Sequence, residues 1–427
     1  MSDKKQIKTR RYFDYLLLFI VLFLLGFGLV MIYSTSFYAA STQYDGDGLF
    51  FFRKQAIAVV LGLAVMFVVS FIPPEVYKRC TILIYIVSFV SVLLVLSSLA
   101  HSSHGATRWV YIFGISIQPA EIAKIGAIIT TATVIYGLKK KDRLSAKGFF
   151  KILIPGAVLS LLVLVLTKNL SSAIIIAGIT YTLYMLCEKN NKAPYIILFV
   201  VAVLVAVLVI LIIKYPEKLS FGYRTERILA WVNPEAYADG KGFQPIQSLY
   251  GIGSGGIWGK GLGKSVQKLY FLPEAHNDMI FSIICEELGI FGGLAIIVMF
   301  ILLLWRIRDI AAHITDVYEN LLLTGIFAQI AIQVILNIAV VTNTVPNTGI
   351  SLPFISYGGS SVIILLAEMG IVMRISRDCD FREEVRSPKP VRRPVHEPEA
   401  EPEEEPEIDL AARARAKRAR RFEDETR

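Results

Sequence analysis

The sequence predicts an all-α polytopic membrane protein: ten transmembrane helices, both termini cytoplasmic, and a large extracytoplasmic loop between helices seven and eight. Three observations predict it. The 427 residues are 55% hydrophobic and only 19% charged, with a mean hydropathy of +0.58, too apolar for one soluble core. Apolar runs of about 20 residues, enough to cross a hydrocarbon core, recur along the chain. Basic residues collect in alternate short connections, as an inside-positive topology requires.

The ten expected spans are 13–34, 54–72, 80–100, 117–138, 149–166, 170–187, 194–213, 278–305, 319–342 and 358–376. Residues 1–12 form a basic cytoplasmic N-terminus with Lys4, Lys5, Lys8, Arg10 and Arg11. The same side then holds Lys78 and Arg79, Lys139 to Lys141 with Arg143 and Lys147, Lys189 and Lys192, Arg306 and Arg308, and Arg374 and Arg377. Arg53, Lys54 and Arg108 are the exceptions on the other side. The fifth and sixth spans are separated only by "TKNLSS" and can also be read as one re-entrant unit. The first apolar run is long and no small-residue cleavage site follows it, so no cleaved signal peptide is expected.

Net charge is +9, and much of the charge, of both signs, sits in the first eleven and last fifty or so residues. It reads as anchoring charge beside anionic membrane lipid, not as a nucleic-acid surface. Cys80, Cys187, Cys285 and Cys379 are scattered without CxxC or His partners, which predicts free thiols and no zinc site. Residues 377–427 are a charged cytoplasmic tail: "EPEAEPEEEPEIDL" is acidic and Pro-interrupted, and "AARARAKRARR" is basic. Such composition buries too little apolar surface to fold, so disorder is expected, with partner or lipid docking as the functional alternative.

The loop 214–277 is long enough to be functional. Its "ERILAWV" run and aromatics predict short amphipathic helices on the membrane surface. "IGSGGIWGKGLGKS" lets backbone approach a ligand, and Lys260, Lys264 and Lys268 add the positive charge a pyrophosphate needs; a flexible turn is the plainer reading. The GxxxxGK[ST] order is absent. Arg224 and Arg227 in "YRTER" are either surface charges or forked donors to a lipid-linked phosphate.

Charges inside apolar runs are costly and therefore informative. Glu121 and Lys124, three apart on the fourth span, are either a helix-gluing ion pair or a wall of a polar cavity. Asp278 at the mouth of span eight either favours the helix N-terminus or acts as a general base. Glu286 lies about 80° round and roughly 12 Å deeper, and Glu287 on the face opposite Asp278, so the three cannot act as one dyad. Glu286 and Glu287 are expected to pair with neighbouring spans. "NTVPNTGISLPFISYGGSS" is a Pro/Gly-broken loop whose neutral hydrogen-bonding groups suit a sugar or peptide better than an ion.

Together, "GATRWVYIFGISIQPAEIAKIG", "FQPIQSLYGIGSGGIWGKGLGKSVQKLYFLPEAHNDMIFSIICEELG" and "NTGISLPFISYGGSS" resemble the SEDS (shape, elongation, division, sporulation) polymerases over about residues 12–376. "LPEAHND" and the charged tail are more similar to the FtsW branch, or its sporulation relative, than to RodA. The resemblance implies a peptidoglycan glycosyltransferase that polymerises lipid II outside the cytoplasmic membrane at the division septum. It also implies a class B penicillin-binding protein and other divisome proteins as partners. It puts the family's essential aspartate at Asp278, acting as base or holding a divalent cation (Mg or Mn). On family motif positions it puts Arg108, Gln118, Glu121, Lys124, Lys260, Gln267, Lys268, Ser356, Gly358, Gly359, Ser360 and Ser361. Substrate contacts are therefore expected from Arg108, Glu121, Lys124, Arg224, Lys260, Lys268, Ser356 and Ser360. A lipid II flippase and a non-catalytic divisome scaffold are the alternative functions. Where relatives carry Pro-Asp, this chain has Lys168-Asn169, so that carboxylate's role does not carry over.

Overall fold

The computed structural model describes residues 14–98, 100–103, 106–112, 115–140, 146–187, 192–217, 222–269, 271–379 and 410–424. The expected N-terminal segment 1–12 and most of the tail lie outside the described residues.

The helices in chain order are α1 (Tyr15–Gln43), α2 (Phe50–Val69), α3 (Pro74–Arg79), α4 (Thr81–Leu93), α5 (Pro119–Lys140), α6 (Ala146–Leu166) and α7 (Leu170–Cys187). They continue with α8 (Lys192–Lys214), α9 (Tyr223–Val232), α10 (Phe243–Gly255), α11 (Ile280–Ala312), α12 (Val317–Val341), α13 (Gly359–Ser376) and α14 (Leu410–Asp424). Among the described residues, nine are long and apolar enough to cross a membrane. At the third expected span, the shorter apolar helix Thr81–Leu96 stands instead, about 24 Å long at 1.5 Å per residue. The run ends there because the chain turns into a small sheet. Strands β1 (Ala100–Ser103), β2 (Ala106–Ile112) and β3 (Ile115–Ile117) pair antiparallel in that order. Thr107, Trp109, Val110, Tyr111 and Ile112 favour a pleated surface, and β2 carries Arg108.

The centre of the bundle is built by α5, α7, α12 and α13, the more buried of the spans, whereas α8 is exposed along almost its whole length, as lipid contact allows. Small residues bring helices close: a Cβ on Gly126 would collide with Ser88, and one on Gly156 with Thr180. At the end opposite the loop 214–277, Asp14 caps α1 by accepting from Leu17 N (2.9 Å) and pairs with Arg306 of α11 (2.8 Å). The exceptional Arg53 is neutralised by an ion pair with Asp47.

Two features go beyond what the sequence predicts. Within the loop 214–277, where "ERILAWV" falls in α9, the second helix α10 packs against α11 and α12. Ser248 donates to Val341 O (2.8 Å), Gly251 faces Ser282, and Gly255 meets Cys285, so α10 runs alongside the first turns of α11 in the same direction. In the tail, expected to be disordered throughout, Leu410–Asp424 is helical and forms a unit of its own. Its Ala, Arg and Lys residues are strong helix formers.

Candidate functional site

Helix α11 is interrupted. Gly289 adopts φ +70°, ψ −169° inside it, which strands carbonyls and an amide that a continuous helix would pair. The glycine-rich loop supplies the missing partners. Lys260 N donates to Glu286 O (2.9 Å), Gly261 N to Glu287 O (2.9 Å), and Ile290 N donates to Gly256 O (3.0 Å). Such close docking leaves no room for Cβ atoms: one on Gly255, Gly259 or Gly289 would run into facing backbone. The glycines thus serve backbone docking, which neither the pyrophosphate nor the flexible-turn reading anticipates.

The same loop accounts for both deep glutamates. Glu286 takes Lys260 Nζ (2.7 Å), Ser265 Oγ, Val266 N (3.1 Å) and Gln267 N (3.3 Å). Glu287 takes Lys268 Nζ (2.7 Å) and Ser34 Oγ (2.8 Å). Their main partners are loop lysines, with only Ser34 of α1 coming from a neighbouring span. Both carboxylates are fully buried, so removing the buried Lys268 costs typically about 3–5 kcal/mol, whereas without the more exposed Lys260 Glu286 keeps Ser265 and two main-chain donors. The structure therefore places Lys260 and Lys268 as bolts holding the loop into α11, not as charges facing an open site.

Asp278 stands ahead of α11, whose N-cap is Met279, so it is not the capping residue. It is half-buried, but Oδ1 is enclosed without a hydrogen-bond partner. Oδ2 lies beside Gly349, where a Cβ would approach to 3.6 Å. Burial pushes the carboxyl up to about 7; Glu274 adds to the rise, and Arg227 and Arg108 oppose it. Arg227 reaches in from α9 and donates to Asn347 O (2.7 Å). Arg108 Nε is enclosed without a partner, whereas Arg224 points to solvent. Of the "YRTER" pair it is Arg227, not the exposed Arg224, that acts on the carboxylate.

The loop between α12 and α13 forms the other wall. Ser356 Oγ donates to Asn277 O (2.6 Å) and accepts from Leu352 N (2.8 Å), so its hydroxyl is committed within the protein. Ser360 Oγ accepts from Gln118 N (3.3 Å), joining α13 to the start of α5. Gln55 of α2, buried in an apolar helix, accepts from Gly358 N (3.0 Å). Phe51, His276 and Tyr357 make an aromatic corner, with ring centroids 4.6 to 5.7 Å apart. Burial lowers the His276 imidazole below its ordinary value, against Glu274.

Deeper in the bundle, Glu121 and Lys124 lie 2.8 Å apart, both buried, as an ion pair not oriented as a hydrogen bond. Glu368 of α13 is fully buried within electrostatic reach of both, and accepts from Gln329 of α12 (2.9 Å). This cluster joins α5, α12 and α13, as a helix-gluing pair would. At the departure Lys168-Asn169, Asn169 Oδ1 accepts from Ser172 N (3.1 Å) at the start of α7, a capping task an amide performs as well as a carboxylate.

Glu274, Gln55, Asn337 and Glu368 were not anticipated as site residues. The signal for three of them is plain: each is a polar residue inside an apolar span, and such residues face the bundle interior. Among the described residues no group of three His, Cys, Asp or Glu side chains is placed to hold a metal.

A family of cell cycle proteins, FTSW_RODA_SPOVE, matches residues 15–380. The chain is 35% identical over 377 residues to the probable peptidoglycan glycosyltransferase FtsW of Geobacter metallireducens, covering 88% of this chain and 98% of that protein. It is 35% identical over 366 residues to stage V sporulation protein E of Bacillus subtilis, covering 85% and 97%. Among solved structures, a chain from "Structural coordination of polymerization and crosslinking by a peptidoglycan synthase complex" superposes with TM-score 0.69 at 26% identity, covering 86% of this chain and 98% of that one. The rod shape determining protein RodA of Thermus thermophilus shares the fold, with TM-score 0.61 at 24% identity and the same coverage.

Proposed function

The chain belongs to the FtsW, RodA and SpoVE family of cell cycle proteins, and from that premise we propose that it is a peptidoglycan glycosyltransferase. In this reading it polymerises lipid II into glycan strands at the division septum. It works in the cell membrane with a class B penicillin-binding protein and other divisome proteins. One observation carries the reading: a half-buried carboxylate with one enclosed, unpartnered oxygen, within electrostatic reach of two guanidinium groups, at one end of a membrane bundle.

Glycan growth joins an acceptor sugar hydroxyl to the anomeric carbon that bears a lipid diphosphate. Asp278, once ionised, accepts the hydroxyl proton as the oxygen attacks. The bond between the anomeric carbon and the diphosphate oxygen breaks, and the diphosphate leaves on its lipid carrying the charge. Arg108 and Arg227 face that charge; a guanidinium offers a forked pair of donors to phosphate oxygens. Were a divalent cation to take part, Asp278 would be the residue that holds it. It would supply charge neutralisation of the leaving diphosphate.

The test uses the purified protein with its penicillin-binding partner and labelled lipid II in detergent, where flipping has no meaning. Glycan ladders on gels are the expected result. A flippase or a scaffold leaves lipid II unpolymerised when the partner's own transpeptidase is the only other component.

A further inference from the structure

Three consecutive carbonyls ahead of α11 are each held from elsewhere in the bundle. His276 O accepts from Tyr357 N (2.9 Å), Asn277 O from Ser356 Oγ (2.6 Å), and Asp278 O from Asn337 Nδ2 (2.8 Å). Asn337 is fully buried in α12, about 6 Å from its end. Its second amide hydrogen goes to Ile350 O (2.7 Å), next to the Gly349 that Asp278 Oδ2 faces. An amide nitrogen has two hydrogens, and here both are used on two separate main chains. The orientation follows from chemistry, since only donors can face two carbonyls. Asn337 Oδ1 is left without a partner, a costly arrangement in an apolar helix. A leucine has the same branched skeleton but would leave both carbonyls without a donor, so it is the two main chains, not apolar packing, that call for asparagine.

We propose that Asn337 is a positioning residue for glycosyl transfer: its amide clamps the Asp278 and Ile350 main chains together and so aims the Asp278 carboxylate into the site. The inference rests on the reading of Asp278 given above. Ser356 does the same one residue earlier, which makes it a positioning residue too. The charged groups acting on Asp278 are Glu274 in its own loop, Arg227 of α9 and Arg108 of β2. Asn337 is neutral, so its removal alters enclosure and aim, not charge.

The test compares Asn337→Leu and Ser356→Ala with wild type in the partnered polymerase assay, at matched folded amounts. Misplacing a reacting group by about 1 Å costs roughly 10²-fold in rate. Asn337→Leu is expected to lose turnover by about that factor with little change in half-saturation by lipid II. Water entering the loosened pocket also moves the acid limb of the pH–rate profile to lower pH. Ser356→Ala follows in the same direction and keeps the test open if Asn337→Leu fails to fold. Turnover and acid limb unchanged in folded Asn337→Leu or Ser356→Ala, with only melting temperature reduced, overturn the clamp. If Asp278→Asn is inactive at the same time, the base assignment survives that failure. An active Asp278→Asn overturns both.

Discussion

Asp278→Asn is expected to lower glycan polymerisation by about 10²–10⁴-fold, the usual contribution of a positioned proton acceptor. The amide is close to the same size and has no proton affinity in the working pH range. It also relieves the burial of a charge, so folded protein should accumulate normally and lipid II binding should persist. Loss of rate without loss of protein is therefore the signature, read from glycan ladders against membrane abundance. Ladders equal to those of wild type would remove Asp278 from the chemistry.

The second large effect concerns the glycine-rich loop. Gly259→Val and Gly289→Val should yield little or no folded protein, because the colliding atoms at both positions are backbone and cannot swing aside. Both glycines also have positive φ, +77° and +70°, where a β-branched residue is strained. Losing the dock strands Glu286 O, Glu287 O and Ile290 N, at about 1–3 kcal/mol for each buried unsatisfied group. It also opens the two buried ion pairs behind them. Gly253 lies in the same run, has nothing within 4 Å of a Cβ and no positive φ, so Gly253→Ala should fold normally. Detergent-solubilised yield and thermal stability compare the three. Equal tolerance at Gly253, Gly259 and Gly289 would mean the loop is only a flexible turn.

Much of this architecture is legible in the sequence because bilayer crossing imposes length and polarity together. The runs 170–187, 319–342 and 358–376 lie within two residues of α7, α12 and α13. The run 80–100 overshoots, because Ala100 begins a strand and an apolar run does not say where helix yields to sheet. The Lys260 and Lys268 reading failed for a related reason. A lysine beside glycines looks ready for an anion, and only the fold shows that Glu286 and Glu287, about 20 residues on, already occupy it. At Asp278 the residues alone leave a helix-end and a base reading open, and only the fold shows that Met279, not Asp278, caps α11. Asn337 stands out as a polar residue inside an apolar span, but its two carbonyl partners come from distant segments of the chain and only the fold shows them.

The pH dependence of polymerisation tests the central claim most directly. Below its apparent pKa Asp278 is protonated and cannot accept a proton, so the rate should rise as pH rises through about 7 and level off above. His276, lowered by burial, titrates below that limb. Glu274 raises the Asp278 value by like charge, so Glu274→Gln should carry the limb to lower pH. A wild-type limb near the ordinary aspartate value of about 4, or one that Glu274→Gln leaves in place, would contradict the account.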